Sequence, residues 1–191
     1  AELAQDIVQP GSNVYDLGCS TGTTLLMLDR TLPMDVNFVG VDDSHEMLVK
    51  CESKLREHQV QRKVELQCTD LHLGVDMKDA SLALMVLTLQ FLRPLHRERL
   101  IADVFKGLRE NGGLILVEDS HFNRLFIKHY YDFKRRNGYS ETEIAQKREA
   151  LENVLIPYKL LENRELLLKS GFRYVDVFFK WYNFCGIVAI K

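Results

Sequence analysis

The sequence has little of what marks metal-binding, disulfide-bonded or membrane proteins. It has only four cysteines, none in a C-x-x-C pair, so we expect reduced thiols in a cytosolic protein rather than a disulfide framework. Its six histidines show no H-E-x-x-H spacing, and we predict no metal site. The apolar runs fall far short of the roughly 20 residues that span a bilayer, and the first residues do not resemble a signal peptide. We therefore expect a cytoplasmic protein without a membrane segment.

An excess of positive charge is also missing. Lys and Arg number 25 against 27 Asp and Glu, and the net charge of −2 provides no basic field for a polyanion. We expect no direct nucleic-acid binding, although Lys134-Arg135-Arg136 forms a local basic patch. The length of 191 residues and the apolar fraction of 46% favour a single domain over residues 1–191. Because the chain begins with Ala1 in a helical pattern rather than with Met, we expect N-terminal sequence to precede it.

One glycine-rich stretch organises the rest of the chain. Residues 13–17 are typical of a short buried strand, residues 18–22 of a tight turn, and residues 25–28 of a following helix. Such a turn places backbone N–H groups at a positive helix end and lets a ligand approach the glycines closely. The third glycine of the dinucleotide motif G-x-G-x-x-G is missing, and D-x-G-x-x-x-G instead resembles the first motif of class I S-adenosylmethionine (SAM) enzymes. An ordinary tight strand-to-helix connection is the alternative.

Strand and helix patterns alternate along the chain, which favours β-α-β units around a parallel sheet. The strand patterns cover residues 13–17, 37–42, 64–68, 80–88 and 114–117, with a turn at Asn111-Gly112-Gly113 and a final hairpin at 175–182 and 184–190. We therefore predict an α/β, Rossmann-like class I SAM-methyltransferase fold, whose seven-stranded, mostly parallel sheet has an antiparallel last strand. The charged, aromatic and mostly helical residues 121–165 are predicted to form an insertion after strand five, over the substrate-binding edge of the sheet.

Three aspartates, Asp16, Asp42 and Asp70, follow or end successive predicted strands. A carboxylate after the second strand is where nucleotide-binding sheets hold ribose hydroxyls, and its two oxygens match a vicinal diol. We expect Asp70 to accept a hydrogen bond from the exocyclic amine of an adenine, and Asp16 to position the amino-acid end of the ligand or the neighbouring backbone. Each aspartate alone is equally typical of a helix cap or a turn. The three together predict a SAM-type nucleoside site.

The chain also resembles a narrower family, the carboxy-S-adenosyl-L-methionine (carboxy-SAM) synthases of the tRNA wobble-uridine pathway. The similar stretches are residues 14–20, 87–92, 132–140, 146–148, 151–154 and 182–184. Members of that family convert SAM and prephenate into carboxy-SAM and phenylpyruvate, act as homodimers, and supply a partner enzyme that modifies tRNA. The resemblance implies the same substrates, a homodimer and a role in tRNA modification here.

Position by position, the resemblance implies a site for SAM, carboxy-SAM or S-adenosylhomocysteine. The expected cofactor-binding residues are Asp16, Gly18, Cys19, Ser20, Gly22, Asp42, Asp43, Asp70, Leu71 and Val86, the last through its backbone or an apolar contact. The expected catalytic residue is Arg148, whose guanidinium would hold the new carboxylate in a buried ion pair. A surface pair between Arg148 and Glu152, four residues apart on a helix, is the competing interpretation.

Two other functions fit the same pattern. One is an ordinary SAM-dependent methyltransferase of a small molecule, in which Arg148 would bind an acidic acceptor. Val86 and Asp43 stand where the synthase family commonly has asparagine, which distinguishes this chain from the pattern. A non-catalytic SAM-binding subunit would instead dock on another enzyme through the aromatic face of Phe126, Tyr130 and Phe133, a face that is more typical of a core.

Overall fold

The computed structural model describes residues 1–119 and 124–191, apart from the side chains of Arg124 and Leu125. The strands are β1 (Asn13–Leu17), β2 (Asn37–Asp42), β3 (Val64–Cys68), β4 (Ala80–Val86), β5 (Leu108–Asp119), β6 (Tyr174–Trp181) and β7 (Phe184–Ile190). The helices are α1 (Glu2–Ile7), α2 (Thr23–Asp29), α3 (His45–Glu57), α4 (Pro94–Gly107), α5 (Arg124–Arg136), α6 (Glu141–Leu151) and α7 (Leu160–Lys169).

The strands form a seven-stranded sheet in the order β3-β2-β1-β4-β5-β7-β6. Strand β1 pairs in parallel with β2 and β4, β2 with β3, and β4 with β5, whereas β7 runs antiparallel between β5 and β6. The predicted Rossmann-like sheet with an antiparallel last strand is confirmed. Because parallel strands end at the same edge, the side chains that follow β1 to β5 meet there.

Helices cover both faces of the sheet, which explains why its central strands are apolar almost throughout. On one face, Val14 of β1 packs in a cluster with Leu25 of α2 and Leu48 of α3. On the other face, Leu17 of β1 belongs to a cluster that contains Leu100 of α4. None of the helices in the described parts of the chain has the length and apolarity needed to cross a membrane.

Two predicted features near β4 and β5 differ from the structure, and β6 begins and ends one residue earlier than predicted. Strand β4 ends at Val86, two residues earlier than predicted, because Leu87 adopts a left-handed φ of 58° that interrupts the extended backbone. The turn predicted at Asn111-Gly112-Gly113 lies inside β5, where the pairing with β4 shifts register between Ala80 and Leu82. Asn111 has a φ of 60°, so the left-handed backbone typical of such a turn is present as an irregularity within the strand.

Aromatic side chains join the helical stretch between β5 and β6 to the final hairpin. The first residues of the predicted insertion, 121–123, lie outside the described residues, and α5 begins at Arg124. Ring centroids lie 6.3 Å apart between Phe126 and Tyr182, 5.3 Å between Tyr130 and Phe184, and 4.9 Å between Phe133 and Trp181. The aromatic face of α5 therefore makes internal contacts with the hairpin, as expected of a core face.

Candidate functional site

The carboxyl ends of the first four strands enclose a cleft of about 320 Å³, here called cleft I. Seven of the ten predicted cofactor-binding residues line it: Gly18, Ser20, Asp42, Asp43, Asp70, Leu71 and Val86. The other three, Asp16, Cys19 and Gly22, are not among the lining residues. A larger cavity, about 920 Å³, opens near Asn13, Asn37 and Lys78 and contains none of the predicted site residues. Cleft I therefore contains most of the cofactor-binding residues predicted from the sequence.

Three backbone N–H groups of the glycine-rich turn are hydrogen-bonded within the protein. The N–H groups of Gly18 and Cys19 both donate to the carbonyl oxygen of Val41, at 2.7 and 3.0 Å, and that of Gly22 donates to the Cys19 carbonyl at 2.8 Å. These three N–H groups therefore already have partners within the protein, and the expectation that N–H groups at the start of the helix face a ligand stays a prediction. The glycine at position 18 has a different role: its φ is 83°, and a Cβ there would lie 2.4 Å from Oγ1 of Thr88. Gly18 lets the segment after β4 approach the turn.

Asp42 is oriented by two backbone donors. Its Oδ2 accepts a hydrogen bond from the N–H of Ser20 at 2.8 Å, and its Oδ1 accepts one from the N–H of Ser44 at 3.0 Å. An ionised carboxylate has about four lone-pair positions, so each oxygen keeps one for a further donor. The carboxylate is thus held in place with one acceptor position per oxygen, an arrangement that suits two neighbouring hydroxyl groups.

Asp16 is buried behind the cleft with an unsatisfied oxygen. Its residue exposure is 1%, and its Oδ2 has no hydrogen-bond partner among the described residues. Burial, together with the negative charge of Asp42, raises the pKa of Asp16 from 3.8 to about 7. An unpaired buried carboxyl group is costly, and a cation or a hydrogen-bond donor would relieve that cost. Asp16 is therefore a natural partner for a positively charged ligand group.

Asp70 caps a short helical turn, which is the alternative role that the sequence pattern allowed for each aspartate. Its Oδ1 accepts hydrogen bonds from the backbone N–H of His72 at 2.9 Å and pairs with Nδ1 of the same histidine at 2.8 Å, so it caps the short helical turn Leu71–Leu73. These two contacts keep the pKa of Asp70 below its usual value. Asp70 still lines cleft I, so capping and ligand contact are compatible.

Sequence reasoning missed the segment after β4 as a wall of cleft I. Leu87, Thr88, Phe91 and Leu92 all line the cleft, and Leu87 and Phe91 keep 38% and 40% of their surfaces exposed. Partly exposed apolar side chains beside a polar cleft are typical of a surface that a flat ring covers. The left-handed φ of Leu87 was not predictable, because leucine rarely adopts it.

Buried polar groups hold this wall in place. Glu118 accepts a hydrogen bond from the N–H of Leu89 at 3.0 Å, and the side-chain oxygen of Gln90 accepts one from the N–H of Asp119 at 2.7 Å. The buried guanidinium of Arg97 donates to the carbonyl oxygens of Leu92 at 2.8 Å and Ile156 at 2.5 Å. Residues 87–92 are therefore tied both to the end of β5 and to the chain that follows α6.

Burial is the main cause of the raised pKa of Glu118. Its exposure is 2%, and the loss of hydration raises its pKa to about 8, although backbone donors of residues 88–90 and the charge of Arg97 act in the opposite direction. Glu118 contacts the wall and not the cleft, so we assign it a positioning role.

A second cleft, about 440 Å³ and here called cleft II, lies between the end of β5 and helices α5 and α6. Its lining includes Asp119, Tyr130, Lys134, Lys147, Arg148 and Glu152. Arg148 is exposed, whereas the sequence analysis expected it in a buried ion pair. No salt bridge joins Arg148 to Glu152 in the described parts of the chain, so the competing surface pair is not formed either. Arg148 therefore lines cleft II and is not among the residues that line cleft I.

Comparison with known proteins identifies the family. A family model described as a methyltransferase domain matches residues 14–112. The whole chain is 61% identical to the curated carboxy-S-adenosyl-L-methionine synthase of Methylococcus capsulatus, of which it covers 81%. This chain belongs to the carboxy-SAM synthase family. It is also 41% and 44% identical to the carboxy-SAM synthases of Helicobacter pylori and Desulfotalea psychrophila, covering 80% of each.

Solved structures agree with this family in fold. A SAM-dependent methyltransferase of Methanosarcina mazei superposes with a TM-score of 0.72 at 18% identity, over 100% of this chain and 97% of that one. A SAM-dependent methyltransferase of Aquifex aeolicus gives a TM-score of 0.69 at 16% identity, over 99% and 87% of the two chains. As a carboxy-SAM synthase family member with a methyltransferase domain and fold, the chain is a SAM-dependent enzyme.

The described residues fit the cofactor that carboxy-SAM synthases require. SAM carries a ribose diol, an ammonium and a sulfonium. The two oriented oxygens of Asp42 could hold the diol, and the unsatisfied Oδ2 of Asp16 could accept from the ammonium or attract the sulfonium. The exposed apolar side chains of Leu87 and Phe91 leave a surface for the adenine. Within residues 1–119 and 124–191, no group of three His, Cys, Asp or Glu side chains is placed to hold a metal ion.

Proposed function

We propose that this chain makes carboxy-SAM from SAM and prephenate, releases phenylpyruvate, and thereby supplies the modification of wobble uridine in tRNA. The observation that carries the proposal is a pair of clefts whose walls are joined by a hydrogen bond, from the N–H of Asp119 in cleft II to the side chain of Gln90 in residues 87–92. Cleft I is lined by carboxylates, which suit a sulfonium nucleoside, and cleft II is lined by Lys134, Lys147 and Arg148, which suit an anionic carboxyl donor. The high identity to the Methylococcus capsulatus synthase supports the same assignment.

The residues divide the chemistry between the two clefts. Prephenate releases carbon dioxide when its ring becomes aromatic. Bound SAM supplies a methyl group that the sulfonium acidifies, so that its carbon can lose a proton and take up that carbon dioxide. The ring hydroxyl of prephenate leaves with the methyl proton as water, which balances the reaction without a side-chain base. Asp42 and Asp16 hold the nucleoside and its cationic end. Arg148 receives the new carboxylate through two parallel N–H donors, a geometry that its planar guanidinium provides.

An ordinary SAM-dependent methyltransferase is the second candidate. The match of residues 14–112 to a general methyltransferase domain is compatible with it, and so is Val86. Val86 lines cleft I with an apolar side chain that is 37% exposed, where the synthase family commonly has asparagine. In this case Arg148 would bind a carboxylate of the methyl acceptor.

Mass spectrometry of the ligand released on denaturing the purified protein tests the proposal. We expect a sulfonium heavier than SAM by one carboxyl group. A protein that releases its ligand during purification is then incubated with SAM and prephenate, and the same product is expected only when both are present. Methylation without a prephenate-dependent product would overturn the synthase assignment and favour the methyltransferase.

We further propose that residues 1–191 act as one SAM-binding domain in the cytoplasm, with residues 121–165 as an insertion over the site, and that two copies form a homodimer near this insertion. The direct partners are then small molecules and the second copy, and not nucleic acid or a membrane. Size-exclusion chromatography with light scattering should give twice the monomer mass. A monomer at micromolar concentration would contradict the homodimer.

A further inference from the structure

Cleft II holds two cations besides Arg148. Lys134, Lys147 and Arg148 line it together with two carboxylates, Asp119 and Glu152. Asp119 is largely buried, and its carboxylate accepts a hydrogen bond from the side-chain amide of Asn183. In the proposed reaction Arg148 binds the new carboxylate of carboxy-SAM. Lys134 and Lys147 form no salt bridge among the described residues, so a second anionic group of the donor could pair with one of them.

Lys134 is the cation whose position is best defined. Its Nζ lies 4.6 Å from the ring centroid of Tyr130 and 6.0 Å from that of Tyr131, so the ammonium rests on two aromatic faces. Tyr130 is itself fixed by edge-on contacts with Trp181 and Phe184 of the hairpin. The aromatic contacts hold the ammonium over the cleft and limit its freedom to move to another partner.

Lys134 also forms no salt bridge among the described residues, although the charge of Asp119 acts on it from beyond salt-bridge distance. None of the salt bridges formed within residues 1–119 and 124–191 involves Lys134, whereas its neighbour Arg135 pairs with Asp132 and Glu141 on the surface. Burial and the nearby charge of Lys147 lower the pKa of Lys134, and the charge of Asp119 opposes them. A half-buried ammonium without a salt bridge gains more from binding an anion than an exposed one does.

We propose that Lys134 binds the carboxylate of the donor that is not transferred, that is, the carboxylate of the three-carbon side chain that prephenate shares with phenylpyruvate. This inference rests on the proposed function. A cation paired with the carboxylate that leaves as carbon dioxide would stabilise the ground state and slow the reaction, because that charge disappears in the transition state. A cation paired with the retained carboxylate binds the donor without that penalty. Lys134 thus makes a 2-oxo acid side chain the recognised feature of the donor.

The test measures two ligands with opposite requirements. Binding of phenylpyruvate in the presence of S-adenosylhomocysteine is measured by calorimetry, and binding of carboxy-SAM is measured separately. For Lys134→Met we expect about a tenfold weaker phenylpyruvate affinity, an equal rise in KM for prephenate and an unchanged carboxy-SAM affinity. Lys134→Arg should restore most of the phenylpyruvate affinity, because it keeps the charge. A purely structural role would weaken both ligands together.

The control is Lys128→Met on the same helix, since Lys128 is exposed and does not line cleft II. It should bind phenylpyruvate as the unmodified protein does. If Lys134→Met does not reach the melting temperature of the unmodified protein, Lys134→Gln takes its place. Phenylpyruvate affinity within twofold of the unmodified value would overturn the role of Lys134, and so would the absence of any phenylpyruvate binding by the unmodified protein. An unmodified protein that binds phenylpyruvate through Lys134 but makes no carboxy-SAM would instead overturn the proposed function alone.

Discussion

Replacing Asp16 by asparagine should reduce the loss of stability that the protein shows as the pH rises from 5 to 8. The carboxyl group of Asp16 is buried, faces the charge of Asp42 and has an oxygen without a partner among the described residues. Its pKa is about 7 in the folded protein, against 3.8 for an ordinary aspartate. Between these two values the folded state holds a proton that the unfolded state has lost, so the free energy of unfolding falls as the pH rises.

The size of the effect follows from the two pKa values. A difference from 3.8 to about 7 corresponds to a total cost of about 4 kcal/mol once the pH is above 7. Between pH 5 and pH 8, linkage predicts that the unmodified protein loses about 2.5 kcal/mol relative to Asp16→Asn. For a domain of this size that corresponds to a difference in melting temperature of roughly 5–10 °C. The loss is complete just above pH 8 and is absent below pH 4.

Urea unfolding of both proteins at several pH values from 5 to 8 measures this difference directly. Glu118, whose raised pKa of about 8 gives a slope of the same sign, is present in both proteins and therefore cancels. A difference that stays constant across this range would refute the argument. The same carboxyl group should release about half a proton when S-adenosylhomocysteine binds at pH 7, because the ammonium of the ligand favours the ionised form. Calorimetry in two buffers of different ionisation enthalpy should detect that proton in the unmodified protein and not in Asp16→Asn.

Three further substitutions test other parts of the site. Gly18→Ala should lower the free energy of unfolding in urea by about 2–3 kcal/mol, because the new Cβ meets Thr88. The control Gly138→Ala has a similar positive φ and no atom within 4 Å, and it should lower that free energy by about 1 kcal/mol. Equal losses would contradict the close approach at Gly18. Arg97→Met leaves buried carbonyl groups without donors and should cost about 3 kcal/mol; a loss under about 1 kcal/mol would show that these hydrogen bonds are replaced. Arg148→Ala should abolish the preference for carboxy-SAM over SAM while SAM binding changes little; an unchanged ratio of affinities by calorimetry would contradict its role.

The position of the acidic residues could be predicted from the sequence because it depends only on where parallel strands end. Asp42 follows an apolar strand whose limits, Asn37 to Asp42, are those of the structure. The start of α6 was equally accessible, since the spacing of Ser140 and Glu143 is that of a capping box, which the structure contains. Both features are local, and local patterns determine them.

The features that the sequence did not reveal depend on contacts between distant residues. The N–H groups of Gly18 and Cys19 bind Val41 because β1 and β2 end in register, which no motif records. Arg97 looks like a surface residue of an amphipathic helix, yet it is buried against the chain near Ile156. The exposure of Arg148 depends on how the rest of the chain packs around α6, which the sequence pattern of α6 does not determine.

The two clefts occupy separate lengths of the chain. Every residue that lines cleft I lies between positions 18 and 92, and every residue that lines cleft II lies between positions 119 and 183. The general methyltransferase match, residues 14–112, contains the first set and excludes the second. The proposed nucleoside site and the proposed site of the second reactant therefore come from different parts of the chain, and we expect that they can be exchanged independently. A chimaera that keeps residues 1–118 and receives the C-terminal third of another methyltransferase should still bind SAM, provided that the new segment offers partners for Gln90 and Arg97.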